Sequence, residues 1–354
     1  MTETWVEPLG LIQGQAAAAA LAADLALPLA GGPLAFTLVR LIGWDSPTTP
    51  LPLSDVPEIW HAQVLALTRP PPRFAGLPLP AESGRPLVMG IINVTPDSFS
   101  DGGRGIAESI AAGHAMLEAG ADLLDIGGES TRPGAMPVAP EEECRRVLPV
   151  IRELAKAATI SVDTRNAATM LAALEAGAEI VNDITALRHD PAAARVLARS
   201  EASVILMHML GEDPRTMQQD PRYADVALEV AQFLSDRVLA AERMGLKRDR
   251  LAVDPGIGFG KRLPHNLALM DRLPLLAGIG CPIVFGASRK RFLGTLSGVE
   301  AAGQRVQASV AAALAAAGQG AAMVRVHDVA ETVQALSVWQ ALAGGGLAED
   351  EEEG

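Results

Sequence analysis

Nine side chains with chemical capacity recur at one kind of position. Asn93, Asp125, Asp163, Asn182, His208, Asp254, Ser288, Arg325 and His327 each stand near or just past the C-terminal end of a short apolar run. Any one of them alone also fits capping of the next helix. Polar groups at every such end, with few at the starts, favour a shared polar site. Carboxylates and amides of this kind can read the edge of a polar heterocycle. Arg132, Arg289, Lys290, Arg325 and His327 can hold an anion. Arg325 and His327 alternate around Val326, which places both on the same face of a strand. Arg289 reads as a surface residue beside Lys290. There is no phosphate-binding Walker loop, no HExxH and no Gly-x-Ser-x-Gly, and Cys144 and Cys281 lack the setting of a nucleophile. The remaining inventory fits a transferase that grips a diphosphate leaving group and a flat ring, with catalysis by positioning and charge stabilisation.

The elements that must position these groups repeat regularly. Apolar runs of strand length occupy 87–94, 121–126, 159–162, 179–184, 203–209, 251–253, 282–285 and 322–326. Most are continuously apolar, as parallel strands covered on both faces should be. Helical patterns fill the intervals at 106–119, 141–157, 167–176, 223–244 and 304–317, and Gly120, Gly177 and Gly245 follow three of them. Eight strands alternating with helices over about 250 residues predict an α/β fold, a (β/α)8 TIM barrel. An open doubly wound sheet is the alternative. Residues 1–84 precede this pattern as an N-terminal extension or small accessory lobe without a chemical motif, in which 34–41 reads as a strand. Residues 85–343 form the barrel, and the acidic stretch 344–354 reads as a flexible tail.

Composition narrows the classes further. The chain has 354 residues, 49% hydrophobic, 20% charged and 3% aromatic, with a formal charge of −13. That balance argues against a broad nucleic-acid or anionic-membrane surface. Two cysteines do not make a disulfide scaffold, so a cytoplasmic location is expected. The first Lys or Arg is Arg40, which leaves no positive start for a secretory leader. The uncharged stretch 306–324 is mostly alanine and reads as a buried helix running into a strand.

Local strings carry a resemblance. MGIINVTPDSFSDGG spans 89–103 and DIGGESTRPG 125–134. SVDT follows at 161–164, VNDI at 181–184, LMHM at 206–209, DPGIGFGK at 254–261, GASRK at 286–290 and RVHD at 325–328. In this order they closely resemble the dihydropteroate synthase family over residues 87 to about 340. The resemblance implies condensation of 6-hydroxymethyl-7,8-dihydropterin diphosphate with p-aminobenzoate, releasing diphosphate. It implies pterin contacts from Asp163, Asn182, Ile184, Met207, Asp254, Phe259 and Lys290. Diphosphate would meet Asn93, Thr131, Arg132, Arg325 and His327, with Asn93 helping to coordinate Mg2+. The p-aminobenzoate would meet Phe99, Thr131, Pro133, Gly286, Ser288 and Lys290. Lys290, Arg132, Arg325, His327 and Asp163 would carry the catalysis. Replacing Lys290 or Arg325 with Ala should lower turnover while the fold persists. The loops 95–105 and 127–137 are expected to close over substrates. A homodimer through the last barrel helices is also implied. Two alternatives stay open: a methyltransferase of the related pterin-binding barrels, and an inactive pterin-binding paralogue.

Overall fold

A computed structural model describes residues 4–43, 46–47, 49–94, 104–129 and 138–344. The first part of the chain forms an antiparallel sheet from β1 (Trp5–Gln13), β2 (Leu27–Pro28), β3 (Leu34–Gly43), β4 (Ser46–Pro47) and β5 (Leu51–Pro52). β3 is the long central strand and matches the predicted 34–41. β1 pairs with β3 over its length, from Trp5 opposite Ile42 to Gln13 opposite Leu34. Pro8 and Gly10 obscure β1 in the sequence. Gly10 sits at φ +60°, and a Cβ there would lie 2.3 Å from the Thr37 hydroxyl, so only glycine fits.

Eight parallel strands follow: β6 (Leu87–Asn93), β7 (Leu123–Gly127), β8 (Thr159–Asp163), β9 (Ile180–Asp183), β10 (Ser203–Met207), β11 (Leu251–Asp254), β12 (Val284–Phe285) and β13 (Met323–Val326). Their order is β11-β10-β9-β8-β7-β6-β13-β12. The ring closes between β11 and β12, where the Val253 N–H donates to the Pro282 carbonyl at 2.9 Å and Val253 bridges Ile283. Closure selects the (β/α)8 barrel over the open sheet. β12 is shorter than the predicted 282–285 because Pro282 has no N–H for the ladder.

The strands bury both faces. Outward residues such as Leu124, Ile126, Ile160, Val162, Val204 and Leu206 pack under the helices. Inward residues Leu87, Met89, Leu123, Ile180, Ile205, Ala252, Val284 and Met323 meet at the N-terminal end of the barrel. Phe74, fully buried, and Leu79 plug that end from a turn in which Phe74 pairs with Leu77.

The N-terminal lobe is joined to this barrel through core and charge alike. Val6, Phe36, Val39 and Leu41 share one cluster with Val324, Val326, Leu336 and Trp339. Glu7, 1% exposed, accepts from Arg40 of the lobe at 2.9 Å and from Arg272 of the barrel at 2.5 Å. Arg272 also bonds Asp225 at 2.7 Å, the residue that caps helix Val226–Arg243. The described residues before 85 therefore form a packed lobe. The predicted acidic tail lies outside the described residues beyond Gly344. Among the described residues no helix is long and apolar enough to cross a membrane.

Candidate active site

Strand alternation builds the site one layer above the apolar floor. Asp125, Asn182, Met207, Asp254, Gly286 and Arg325 each lie two residues beyond a floor residue, namely Leu123, Ile180, Ile205, Ala252, Val284 and Met323. With a period of two, those positions point into the barrel on the same face. Four separate strands thus deliver the polar groups of one layer, Asp125, Asn182, Asp254 and Arg325, with Met207 and Gly286 beside them.

Arg325 holds the centre of that layer. Its Nε donates to Asp125 Oδ2 at 2.6 Å and an Nη to Asp163 Oδ2 at 2.9 Å. Asn182 donates to the same Asp125 oxygen at 3.1 Å. Asp125 is fully buried. The opposing oxygens Asp125 Oδ1 and Asn182 Oδ1, with the Ser161 hydroxyl, have no hydrogen-bond partner among the described residues. Buried polar atoms left open are expensive, and open acceptors at the end of a barrel suit a polar ligand with donors to offer. Burial pushes the Asp163 carboxyl up to about 7, against the pull of Arg325 and with help from Asp125 nearby.

Asp254 forms the second grip. It is 5% exposed, and its Oδ1 accepts from the Gly256 N–H at 2.6 Å. Burial raises its pKa, while the neighbouring Lys290 ammonium opposes the rise. Lys290 donates to the Ile257 carbonyl and sits 4.9 Å above the Phe259 ring. Burial lowers the Lys290 ammonium to about 8. A Cβ built on Gly286 would lie 3.7 Å from Arg325 Cβ and 3.9 Å from Asp254 Oδ2. Asp254 and Arg325 therefore face one space across a glycine.

The loop that carries Phe259 is held from below by a residue that sequence reasoning passed over. Lys261, 3% exposed, reaches the Gly256 carbonyl at 2.9 Å, the Phe259 carbonyl at 3.0 Å and His208 Nδ1 at 2.8 Å. Burial drives Lys261 well below the ordinary lysine range and His208 well below the ordinary histidine range. Neutral His208 can then accept. Gly256 takes φ +64°, and a Cβ there would fall 1.9 Å from the His208 carbonyl oxygen, so the loop lies against β10 with no room for a side chain.

Most of the candidate residues converge on this end. Ile184, Met207 and Phe259 share one apolar cluster with Met209 and Met217, an apolar wall. Ser288 and His327 meet, with the Ser288 hydroxyl 3.0 Å from His327 Nδ1. Arg325 and His327 are partly exposed and Val326 between them is buried, as the alternation requires. Asn93 stands exposed at the end of β6. Phe99, Thr131, Arg132 and Pro133, with most of the two candidate closing loops, lie outside the described residues. The second loop's ends are tied: Glu129 binds Arg165 at 2.9 Å and accepts from the Val138 N–H at 3.4 Å.

Two residues do more than their sequence setting suggests. Arg289 lies at the surface, about a third exposed, yet it is tied down: at φ +59° its Nε binds Asp328 at 3.2 Å and its carbonyl accepts from Arg305 at 2.8 Å. It fixes the GASRK turn onto the RVHD turn. Arg325 is also no free anion clamp, because two carboxylates already hold it. Its removal would leave both buried without a counter-charge, so the fold is not expected to be indifferent to Arg325→Ala. Asp125, a strand-end residue given no role by sequence, is the reason; its place in the alternation beside Asn182 was the available signal.

The barrel segment is similar to known proteins. Residues 89–327 match the family described as pterin binding enzyme. A dihydropteroate synthase of Neisseria meningitidis serogroup B is 49% identical over 267 residues, 73% of this chain and 93% of that protein. The Escherichia coli K12 dihydropteroate synthase is 44% identical over 260 residues, covering 72% and 91%. Among solved structures, the Xanthomonas albilineans dihydropteroate synthase with 4-aminobenzoic acid superposes with a TM-score of 0.68 at 52% identity, covering 73% of this chain and 93% of that one. The same enzyme in complex with 7,8-dihydropteroate gives 0.65 at 47% identity, covering 73% and 92%.

Proposed function

The chain belongs to the dihydropteroate synthase family, and from that premise we propose that it joins 6-hydroxymethyl-7,8-dihydropterin diphosphate to p-aminobenzoate, making 7,8-dihydropteroate and diphosphate. The observation that carries this reading is the facing of Asp254 and Arg325 across Gly286. One can hold a ring and the other the anion leaving it.

The Asp254 carboxylate has one oxygen engaged by Gly256 and can accept the paired donors of a pterin's amino-pyrimidine edge, a charge-assisted fork. The open Asn182 and Asp125 oxygens suit the remaining ring donors. Ile184, Met207 and Phe259 would cover the ring's faces. Lys290, with its ammonium above Phe259, would donate to the ring's carbonyl side and border the arylamine. Arg325, turned by Asp125 and Asp163, would present its remaining N–H groups to the diphosphate, with His327, Thr131 and Arg132. Asp163 would offset positive charge growing on the pterin as the C–O bond to diphosphate lengthens. The neutral arylamine nitrogen then forms the new C–N bond and sheds its proton. Phe99, Pro133, Gly286 and Ser288 would line its pocket.

Magnesium enters this proposal with the substrate. Among the described residues no three His, Cys, Asp or Glu side chains cluster to hold a metal, and Asp125 and Asp163 are already bound to Arg325. A donor set of this kind fits an ion carried mainly by diphosphate and water, with one oxygen from Asn93. It would neutralise leaving-group charge. A cytoplasmic location and a homodimer are part of the same reading. The lobe occupies part of helix Val329–Ala343, where Gly14 packs against the Leu342 carbonyl. The exposed Gln307, Ala311 and Ala315 of helix Val306–Ala317 would then supply the contact.

Incubation with the pterin diphosphate, radiolabelled p-aminobenzoate and magnesium tests the activity. Label should appear in dihydropteroate only when all are present. Absence of labelled product from folded protein would contradict the proposal.

A further inference from the structure

A cavity among the described residues lies at the other end of the barrel from the candidate site. It encloses about 320 Å³ between the N-terminal lobe and the barrel floor, a volume in the range that holds a small organic ligand. The lobe contributes Leu29, Arg69 and Pro70 to its walls, and the barrel contributes Ile279, Ala322 and Trp339. The family match begins only at residue 89, so the lobe's share of the walls precedes the catalytic unit. The reaction proposed above has no use for this space.

The walls define a chemical class. They are apolar and stiffened by consecutive prolines, Pro70 to Pro72, which favours a rigid, flat body over a polar one. Among the described residues no acidic side chain lines the cavity, in a chain whose net charge is −13. Its charged residues are Arg69 and Arg248. Arg248 is already satisfied by Glu242, at 2.9 and 2.8 Å, and by the Ile279 carbonyl at 2.9 Å. Arg69 is exposed and makes no ion pair among the described residues. The cavity therefore offers one uncommitted positive charge beside an apolar slot. We propose that the seam between lobe and barrel floor is a second ligand site, for a flat apolar molecule bearing a single negative charge. Ala322 lies three residues before Arg325 on β13, about 10 Å along the strand. Such a ligand occupies the floor without meeting the substrates.

The probe for this site is 1-anilinonaphthalene-8-sulfonate, an apolar monoanion built on a flat naphthalene, titrated by fluorescence into the full chain at low salt. One molecule per chain should bind, and excess dihydropteroate should not displace it. N-phenyl-1-naphthylamine, the same rings without the sulfonate, should bind about tenfold more weakly. Arg69→Glu should weaken the anionic probe about tenfold through charge reversal at the rim, and Ala66→Trp, which fills the slot, should abolish binding. Both variants should keep wild-type synthase turnover. Equal affinity in both variants, displacement by dihydropteroate, or no binding to the wild type would overturn the proposal.

Discussion

The two ends of the same eight strands differ in every physical respect. At the N-terminal end, Phe74, Leu87, Met89, Leu123, Ile180, Ile205 and Met323 fill the barrel with hydrocarbon, and the site residues are absent. Two residues further along, the interior layer holds Asp125, Asn182, Asp254 and Arg325, with buried oxygens left without partners. Dispersion and water exclusion hold the floor together. The mouth spends stability on charges that are held in place but not fully satisfied. The contrast assigns folding to one end of each strand and chemistry to the other.

The strongest way to break that assignment is Arg325→Ala. It should cut kcat/KM about a thousandfold or more, as loss of a key charge stabiliser does. It should also cost about 3–5 kcal/mol of stability, because two buried carboxylates lose their cation. Adding Asp125→Asn should restore part of the stability in urea melts and none of the turnover. Full recovery of both would erase the division between the ends. On the floor, Phe74→Ala should cost about 3–5 kcal/mol through an unfilled cavity. The folded fraction should keep kcat/KM within about twofold, and a large kinetic loss there would show that the floor shapes the site.

Smaller effects sharpen the picture. Lys261→Met should raise KM for the pterin diphosphate about tenfold or more with a lesser change in kcat, since the loop bearing Phe259 and the Ile257 carbonyl loses its tether. Lys261→Arg should recover part of that affinity. A residue that only supports the fold would lower active fraction without moving KM. The pH profile carries the smallest effect. Asp163, at about 7, acts as a carboxylate, so kcat/KM should climb as pH rises through that value. Lys290, at about 8, acts as an ammonium, so kcat/KM should fall as pH rises through it. Asp163→Asn should remove the acid limb alone, and an unchanged limb would reassign it.

The barrel was legible in the sequence because strands buried on both faces leave continuous apolar runs. Those runs matched the strands to within a few residues, save where Pro282 shortens β12. Asp163, Asn182, Asp254 and Arg325 were legible by type and by their place after such runs. The partnership of Asp125 with Arg325 was not, since 200 residues separate them and only barrel closure brings them together. Lys261 ends the DPGIGFGK string without a role of its own in the sequence; its tethering role depends on His208, contributed by another strand. The lobe strand Trp5–Gln13 was hidden by Pro8 and Gly10, and its seat on the barrel depends on Arg272 reaching Glu7 across 265 residues.

Whether one mouth holds both a ring and its leaving anion can be measured most directly by equilibrium binding of 6-hydroxymethyl-7,8-dihydropterin and of magnesium diphosphate, separately, to the wild type and to Asp254→Asn. The substitution keeps an acceptor for Gly256 but loses the anionic fork, so pterin affinity should drop about a hundredfold while diphosphate affinity stays unchanged. Equal pterin affinity in the two proteins would contradict the assignment of Asp254, and with it the shared site on which this account rests.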